Sequence, residues 1–237
     1  MLVGRTLHPA LLRQITEALA VHGLIPRGGF AFKAGEAAPD GPSGKPARFV
    51  LLVGHGGGTL WPHFSAWRET QPADLKNPLD TWSRSVIGAV ANTTSARAVF
   101  PSDRPYLPFQ QWAMRAEGLK PSPLGILMHP QFGLWHAYRG ALLFDTDIAA
   151  PAPANPIHLC DTCAGKNCMN ACPAQAVSEE GLDAAKCGNW LRSEAGGTCR
   201  ENGCIARAAC PHGSHRYSDE QTAFHMAAHL RGLFAGK

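Results

Sequence analysis

The residues best suited to chemistry are the eight cysteines, which all lie between Cys160 and Cys210 of the 237-residue chain. They form two runs, Cys160-x2-Cys163-x4-Cys168-x3-Cys172-Pro173 and Cys187-x11-Cys199-x4-Cys204-x5-Cys210-Pro211. Thiolates at such spacings bind iron–sulfur clusters or structural zinc, and in secreted domains they form disulfides. A disulfide framework would be spread over the domain that it stabilises, whereas these cysteines occupy one segment. Metal binding is therefore the favoured interpretation, with disulfides as the alternative.

The two runs resemble the C-x2-C-x2-C-x3-C-P motif of bacterial ferredoxins, whose fourth cysteine ligates the other cluster. A tetrahedral zinc site does not require the Cys-Pro pair that ends each run, so the resemblance favours clusters over zinc. It implies two [4Fe–4S] clusters in a small bacterial-ferredoxin-like dicluster module. By the ferredoxin rule, the first cluster is bound by Cys160, Cys163, Cys168 and Cys210. The second is bound by Cys172, Cys187, Cys199 and Cys204.

The second run departs from the ferredoxin motif because its first cysteine, Cys187, is displaced far upstream. This displacement resembles the ferredoxin module of epoxyqueuosine reductases, where a D-A-x-x-C segment supplies a lone cysteine. The matching segment here is GLDAAKCGNWLRSE. The resemblance supports eight ligands, although the wide spacings fit the geometry of the second cluster less closely than that of the first.

Three further segments resemble, in the same order, parts of the cobalamin-processing chaperones of the cblC type. LGILMHPQFGLWHAYRGALLF (124–144) is similar to their I-H-P-R-F-G-G-W-x-A-I-R-G-x-x-L stretch. ARFVLLVGHGGGTLWPHFSAW (47–67) is similar to an early strand, loop and helix, and HRYSDEQTAF (215–224) to an R-Y-S-E-E-Q segment. The resemblance implies an α+β fold with a flavin-reductase/nitroreductase-like body that binds a corrinoid such as cobalamin.

Epoxyqueuosine reductases and reductive dehalogenases also join a corrinoid domain to a two-cluster ferredoxin module. The resemblances together imply an oxidoreductase that passes electrons through two [4Fe–4S] clusters to a corrinoid, for cobalamin reduction or upper-ligand removal. The alternatives are a corrinoid-dependent reductase of a small organic substrate and a ferredoxin-type electron-transfer protein with a partner-docking body. The implied partners are a corrinoid and an electron donor such as a flavodoxin, a ferredoxin or a flavin reductase. FMN or FAD is the alternative cofactor of the body.

The same resemblance suggests which body residues contact the cofactor. His129 can ligate or hydrogen-bond a metal cofactor, and Phe132 and Trp135 can wall an apolar macrocycle. Arg139 can pair with a carboxamide, a phosphate or a flavin, and Tyr217 lies where the terminal helix begins. The alternatives are core packing for the aromatic rings and a surface salt bridge for the arginine. We expect His129 and Trp135 to face one cavity, closed on one side by the terminal helix. No proton donor is assigned.

A glycine-rich loop is the other candidate for cofactor contact. His55, Gly56 and Gly57 follow an apolar strand, and their backbone N–H groups can hold a phosphate or an amide. The alternative is a plain turn. A dinucleotide fingerprint is disfavoured, because Asp74, at the expected distance, falls in a loop-like segment and not at a second strand end.

These residues must be positioned by an α+β body. Apolar periodicity and turn residues predict helices over 7–22, 78–96 and 108–117, an exposed loop over 33–47, strands over 48–53 and 97–100, and a hairpin of 124–130 with 137–144. Ser218 and Gln221 predict a capped terminal helix over 219–234. The predicted domains are the body at 1–148, the dicluster module at 157–213 after a Pro/Ala linker, and a terminal segment at 214–237 that packs back on the body.

Composition excludes several classes of protein. Hydrophobic residues make up 45% of the chain and charged residues 17%, which disfavours disorder and coiled coils. The net charge is +4 and the basic residues are scattered, so we expect no nucleic-acid partner. No apolar run is long enough to span a membrane, and the first residues lack the pattern of a signal peptide. We therefore expect a cytoplasmic protein without a membrane partner.

Overall fold

The computed structural model describes residues 5–6, 9–146, 148–149 and 155–235. Residues 7 and 8 of the first predicted helix and 150–154 of the predicted linker lie outside these ranges. The elements, in chain order, are β1 (Arg5–Thr6), α1 (Pro9–Ala20), β2 (Ile25–Ala31), β3 (Phe49–Gly56), α2 (Trp61–Glu69), α3 (Pro78–Thr93), β4 (Arg97–Val99), α4 (Phe109–Glu117), β5 (Lys120–Pro121), β6 (Leu127–Met128), β7 (His136–Phe144), β8 (Ile148–Ala149), α5 (Asn167–Asn170), β9 (Val177–Ser178), β10 (Gly181–Leu182), α6 (Ala184–Arg192), a 3₁₀ turn (Glu194–Gly196), α7 (Gly197–Asn202), α8 (Ile205–Ala208) and α9 (Asp219–Ala235). The chain is therefore a mixed α+β protein.

The chain forms two compact units. The first comprises Met1–Gly118 with Ala137–Asn155, and the second comprises Leu119–His136 with Pro156–Lys237. The sequence-based division places 119–136 in the body, whereas in the structure this segment belongs to the unit of the cysteines. The physical reason is apolar burial, because Leu124, Met128 and Leu134 share one core with Val177 and Cys210.

The first unit is built on a four-stranded sheet with the strand order β2-β3-β7-β4. β2 and β3 are antiparallel with Ile25 opposite Gly54, and β4 and β7 are antiparallel with Arg97 opposite Leu143. Every residue of β3 is buried, as expected for a continuous apolar strand inside a sheet. Helices α1 and α4 pack on β2, and α3 packs on α1 and α2.

Most elements of this unit follow from apolar periodicity. The predicted helices are confirmed as α1, α3 and α4, and the predicted strands as β3 and β4. In α1, Ile15 and Leu19 are one turn apart and both are buried. Gly23 follows α1 with a φ of 67°, a left-handed conformation that glycine adopts without strain.

Strand β2 carries no clear sequence signal because its alternation is broken. Its register with β3 shifts between Pro26 and Gly29, and Gly28 has a φ of 61°. A side chain at Gly29 would place its Cβ 2.4 Å from the carbonyl oxygen of Val50. The two glycines therefore allow a bulge and a close backbone approach at the strand that carries Arg27.

In the second unit, the predicted hairpin of 124–130 with 137–144 is wrong. β6 pairs with β5, with Met128 opposite Lys120, while β7 joins the four-stranded sheet. The chain turns back directly after β6, because His129 and Gly133 exchange two backbone hydrogen bonds of 2.9 Å. The turn thus separates two strands that sequence alone would pair.

The terminal helix is confirmed as α9. The Ser218 hydroxyl accepts a hydrogen bond of 3.1 Å from the backbone N–H of Gln221, as the predicted cap requires. Within the second unit, α9 packs on α7. Its predicted packing on the body stays a prediction. Among the described residues, no helix has the length and apolarity needed to cross a bilayer.

Candidate functional site

The first cysteine set lines a cavity of the second unit and consists of Cys160, Cys163, Cys168 and Cys210. Burial, and then the negative charges of Cys210, Cys168 and Cys163, raises the pKa of Cys160 to about 11. The four thiols therefore lie close together around this cavity. Two helices bring them into place, since α5 carries Cys168 and packs on α8, which Cys210 follows. The ammonium of Lys166 donates a hydrogen bond of 2.8 Å to the carbonyl of Cys160 and holds the loop.

The second cysteine set lines a separate cavity of about 400 Å³ and consists of Cys172, Cys187, Cys199 and Cys204. Burial, and then the charges of Cys204, Cys172 and Cys199, raises the pKa of Cys187. The side chain of Asp183 caps α6 by accepting a hydrogen bond of 2.9 Å from the backbone N–H of Lys186. The cap fixes the start of α6, and hence Cys187, one turn into the helix.

The two sets exchange members relative to the order of the chain. Cys172 ends the first run but lines the second cavity, and Cys210 ends the second run but lines the first. All eight cysteines are free thiols. No group of three or more His, Cys, Asp or Glu residues in the described ranges has the arrangement of a site for a single metal ion. The role of these thiols as cluster ligands stays a prediction.

The HPQFGLWH segment forms a compact turn in the same unit. The Nδ1 atom of His129 accepts hydrogen bonds of 3.0 and 3.1 Å from the backbone N–H groups of Gln131 and Phe132. Its ring stacks on Phe132 with 4.5 Å between centroids. The Nε2 atom of His136 lies 2.8 Å from the carbonyl oxygen of Leu127 and donates to it. The contacts of His129 therefore include a local structural role, and its predicted contact with a cofactor stays a prediction.

Trp135 and Tyr217 come together around an arginine. Their rings meet edge to face with 5.2 Å between centroids. The guanidinium carbon of Arg207 lies 4.3 Å from the centroid of Trp135 and 4.9 Å from that of Tyr217. These three residues line a cavity to which α9 also contributes. His129 does not line it, so the expected common cavity of His129 and Trp135 is not this one.

The other candidates belong to the first unit. His55 is 1% exposed, and its Nδ1 atom lies 2.9 Å from the carbonyl oxygen of Gly57. Gly56 ends β3, and Gly57 has a φ of 60°. The predicted glycine loop is thus a tight, buried turn. Arg139 donates hydrogen bonds of 2.7 Å to Asp80 and 3.0 Å to Ser83 on α3, which gives it a structural partner.

A buried ion pair supports this turn and had no sequence signal. Arg27 is 2% exposed and donates two hydrogen bonds of 2.9 Å to Glu117, and one of 3.2 Å to the carbonyl of His55. Glu117 also accepts a hydrogen bond from Tyr138, and burial raises the pKa of that phenol well above its usual range. The pair is satisfied on both sides, as a buried charge requires. It therefore fixes the backbone from which His55 projects.

Neither a protein-family model nor a curated protein sequence matches the chain. Its mixed α+β fold is nevertheless shared with solved structures. It is similar to the B12-trafficking protein CblC of C. elegans, with a TM-score of 0.56 and 14% identity over 94% of each chain.

The fold is also similar to that of an epoxyqueuosine reductase solved with a tRNA-Tyr stem loop. The TM-score is 0.53 and the identity 10%, over 90% of this chain and 67% of that one. With the Streptococcus thermophilus epoxyqueuosine reductase the TM-score is 0.46 and the identity 13%, over 70% of this chain and 49% of that one. The chain thus spans about half the length of that protein. The absence of a nucleic-acid partner stays a prediction for this chain.

Proposed function

We propose that the chain is an iron–sulfur oxidoreductase that passes electrons through two [4Fe–4S] clusters to a bound corrinoid, for cobalamin reduction or removal of its upper ligand. The observation that carries the proposal is the grouping of eight thiols, four to a cavity, with Cys172 and Cys210 exchanged. Each set offers the four thiolates that a cubane requires, and the exchange matches the ferredoxin rule.

The residues around the thiols suit this cofactor. Lys166 and Asp183 fix the chain beside Cys160 and Cys187. Apolar side chains such as Leu124 and Ile205 line the second cavity beside its thiols. When bound, a cubane supplies one-electron transfer. The surrounding residues would hold the thiols in place.

The corrinoid half of the proposal is supported by the similarity of the fold to CblC, whose B12 trafficking is a property of that protein. We extend corrinoid binding to this chain through the candidate contacts His129, Phe132, Trp135 and Tyr217 of the second unit. In the first unit, taken by itself, the candidate cofactor contacts are His55, Gly56, Gly57 and Arg139. The proposed electron donor is a flavodoxin, a ferredoxin or a flavin reductase.

Metal and corrinoid content provide the direct test. Anaerobically reconstituted protein is expected to hold about eight iron atoms per chain, because two cubanes contain that number. Titration of this protein with several cobalamins should give saturable changes in the sharp corrinoid absorption bands. A parallel titration with FMN tests the alternative cofactor. Stoichiometric zinc without iron would contradict the cluster assignment. Iron-replete protein that binds no corrinoid would favour the electron-transfer protein with a docking body.

Substitution of Trp135 tests the proposed corrinoid contact. Trp135→Ala should weaken corrinoid binding about tenfold or more with unchanged iron content, because an aromatic wall of the macrocycle is lost. Trp112→Ala is the matched control, since Trp112 is 7% exposed against 5% for Trp135 and packs on Phe30 and Phe109 in the first unit. Equal loss of corrinoid binding in both variants, or loss of iron in Trp135→Ala, would show that Trp135 contributes only to core packing.

A further inference from the structure

A small cavity with two arginines adjoins the second cysteine set. Its volume is about 210 Å³, and Trp135, Cys204, Arg207, Arg216 and Tyr217 are among the residues that line it. This volume lies below the roughly 300 Å³ at which pockets for drug-sized ligands begin. The cavity therefore suits a ligand of a few atoms or one group of a larger molecule.

Arg207 is held rigidly in this cavity. Its Nη2 atom donates a hydrogen bond of 2.6 Å to the carbonyl of Leu134, and its plane lies against Trp135 and Tyr217. Within the part of the chain that the structure describes, its buried Nε atom has no hydrogen-bond partner. A guanidinium that is already oriented loses little conformational entropy when it binds an anion.

Arg216 is anchored in the same way. Its Nη2 atom donates a hydrogen bond of 2.6 Å to the carbonyl of Ala208. Asp219 also lines the cavity, but among the described residues it forms no ion pair with Arg207 or Arg216. Two arginines and one aspartate leave one net positive charge.

The indole of Trp135 adds a further donor. Its Nε1 atom is buried and has no acceptor among the described residues. A buried N–H without an acceptor is costly, so a ligand that supplies an acceptor would relieve that cost. Donors on two arginines and an indole are the complement of an oxyanion, and the two guanidinium charges outweigh the one carboxylate of Asp219.

We propose that this cavity binds a phosphate group. Two separately anchored guanidinium groups can each contact different oxygens of a tetrahedral anion, whereas a planar carboxylate is matched by one guanidinium. The inference goes beyond electron transfer to a corrinoid, and its cavity shares Trp135 and Tyr217 with the proposed corrinoid contacts. The bound phosphate lies beside Cys204, at the edge of the second cysteine set.

Equilibrium dialysis of the iron-replete chain with labelled inorganic phosphate, at constant ionic strength, tests the inference. Wild-type protein should bind one phosphate per chain, and Arg207→Gln and Arg216→Gln should each weaken binding about tenfold or more. The matched control is Arg192→Gln, which removes one charge in the same unit at an exposed arginine bonded to Leu233. This variant should stay within about twofold of wild type, because Arg192 does not line the cavity and exposed charges are screened by salt.

The outcomes are decisive in either direction. Absence of phosphate binding, an equal loss in Arg192→Gln, or acetate binding as tight as phosphate overturns the inference. Because Arg207 is also part of an aromatic stack, the exposed Arg216 provides the variant that spares the core. Displacement of phosphate by dimethyl phosphate assigns a phosphodiester as the source, and resistance to it assigns a free phosphate or monoester. The same dialysis on the chain without iron keeps the two proposals separate, because phosphate binding by the arginines does not require the clusters.

Discussion

Cys210→Ala is expected to remove the same iron–sulfur cluster as Cys160→Ala, although the two residues are far apart in sequence. Both thiols line the first cavity, and the charge of Cys210 is the largest thiol contribution to the raised pKa of Cys160. A cubane that loses one of four thiolate ligands is expected to be lost or degraded. Iron should therefore fall from about eight to about four atoms per chain in either variant.

Electron paramagnetic resonance of the reduced variants identifies which cluster is affected. The spectra of Cys210→Ala and Cys160→Ala should match, and both should retain the signal that Cys204→Ala lacks. Cys204 is the matched control because it lies in the same run as Cys210 but lines the other cavity. A spectrum of Cys210→Ala that matches Cys204→Ala would contradict the interlocked arrangement.

The grouping of the thiols in two cavities is the one that the resemblance to ferredoxins implies, in which the cysteine before the proline of each run belongs to the other set. The structure adds how the chain brings the sets together, by packing α5 on α8 and by capping α6 at Asp183. Helices α1 and α9 could be predicted because their apolar spacing and end signals are contained within the helix itself.

The position of the HPQFGLWH segment could not be predicted in this way. Its apolar residues are compatible with a strand of the body and with the core of another unit. Periodicity predicts that such residues are buried, but it does not identify the residues they pack against. Leu124, Met128 and Leu134 are buried against the cysteine block, and only tertiary packing decides that. The two compact units divide at Asn155/Pro156, in the predicted linker, but the second unit also includes 119–136.

The contacts of two arginines were not predicted from the sequence, for related reasons. Arg207 lies between two cysteines in the sequence, and only the structure shows that it stacks on Trp135 and Tyr217. Arg27 lies in a glycine-rich strand, and its partner Glu117 is 90 residues away in sequence. Long-range polar contacts leave no periodic trace, so a sequence read locally does not reveal them.

Gly133→Ala is expected to destabilise the second unit by about 3 kcal/mol, as the sum of left-handed strain and overpacking. Gly133 has a φ of 58°, and a Cβ there would lie 1.9 Å from the carbonyl oxygen of His212. That oxygen belongs to backbone and has little freedom to move. Because His212 follows Cys210 and Pro211 directly, the displacement should also reduce iron binding at the first cysteine set.

Gly125→Ala separates the clash from the strain. Gly125 has a φ of 74°, but no atom lies within 4 Å of the position that a Cβ would occupy. This variant should lose only about 1 kcal/mol, the cost of the left-handed conformation alone, and should keep its full iron content. Urea unfolding monitored by tryptophan fluorescence, together with iron analysis, measures both effects. If Gly133→Ala were no less stable than Gly125→Ala, the turn after His129 would not be packed against the chain that follows Cys210.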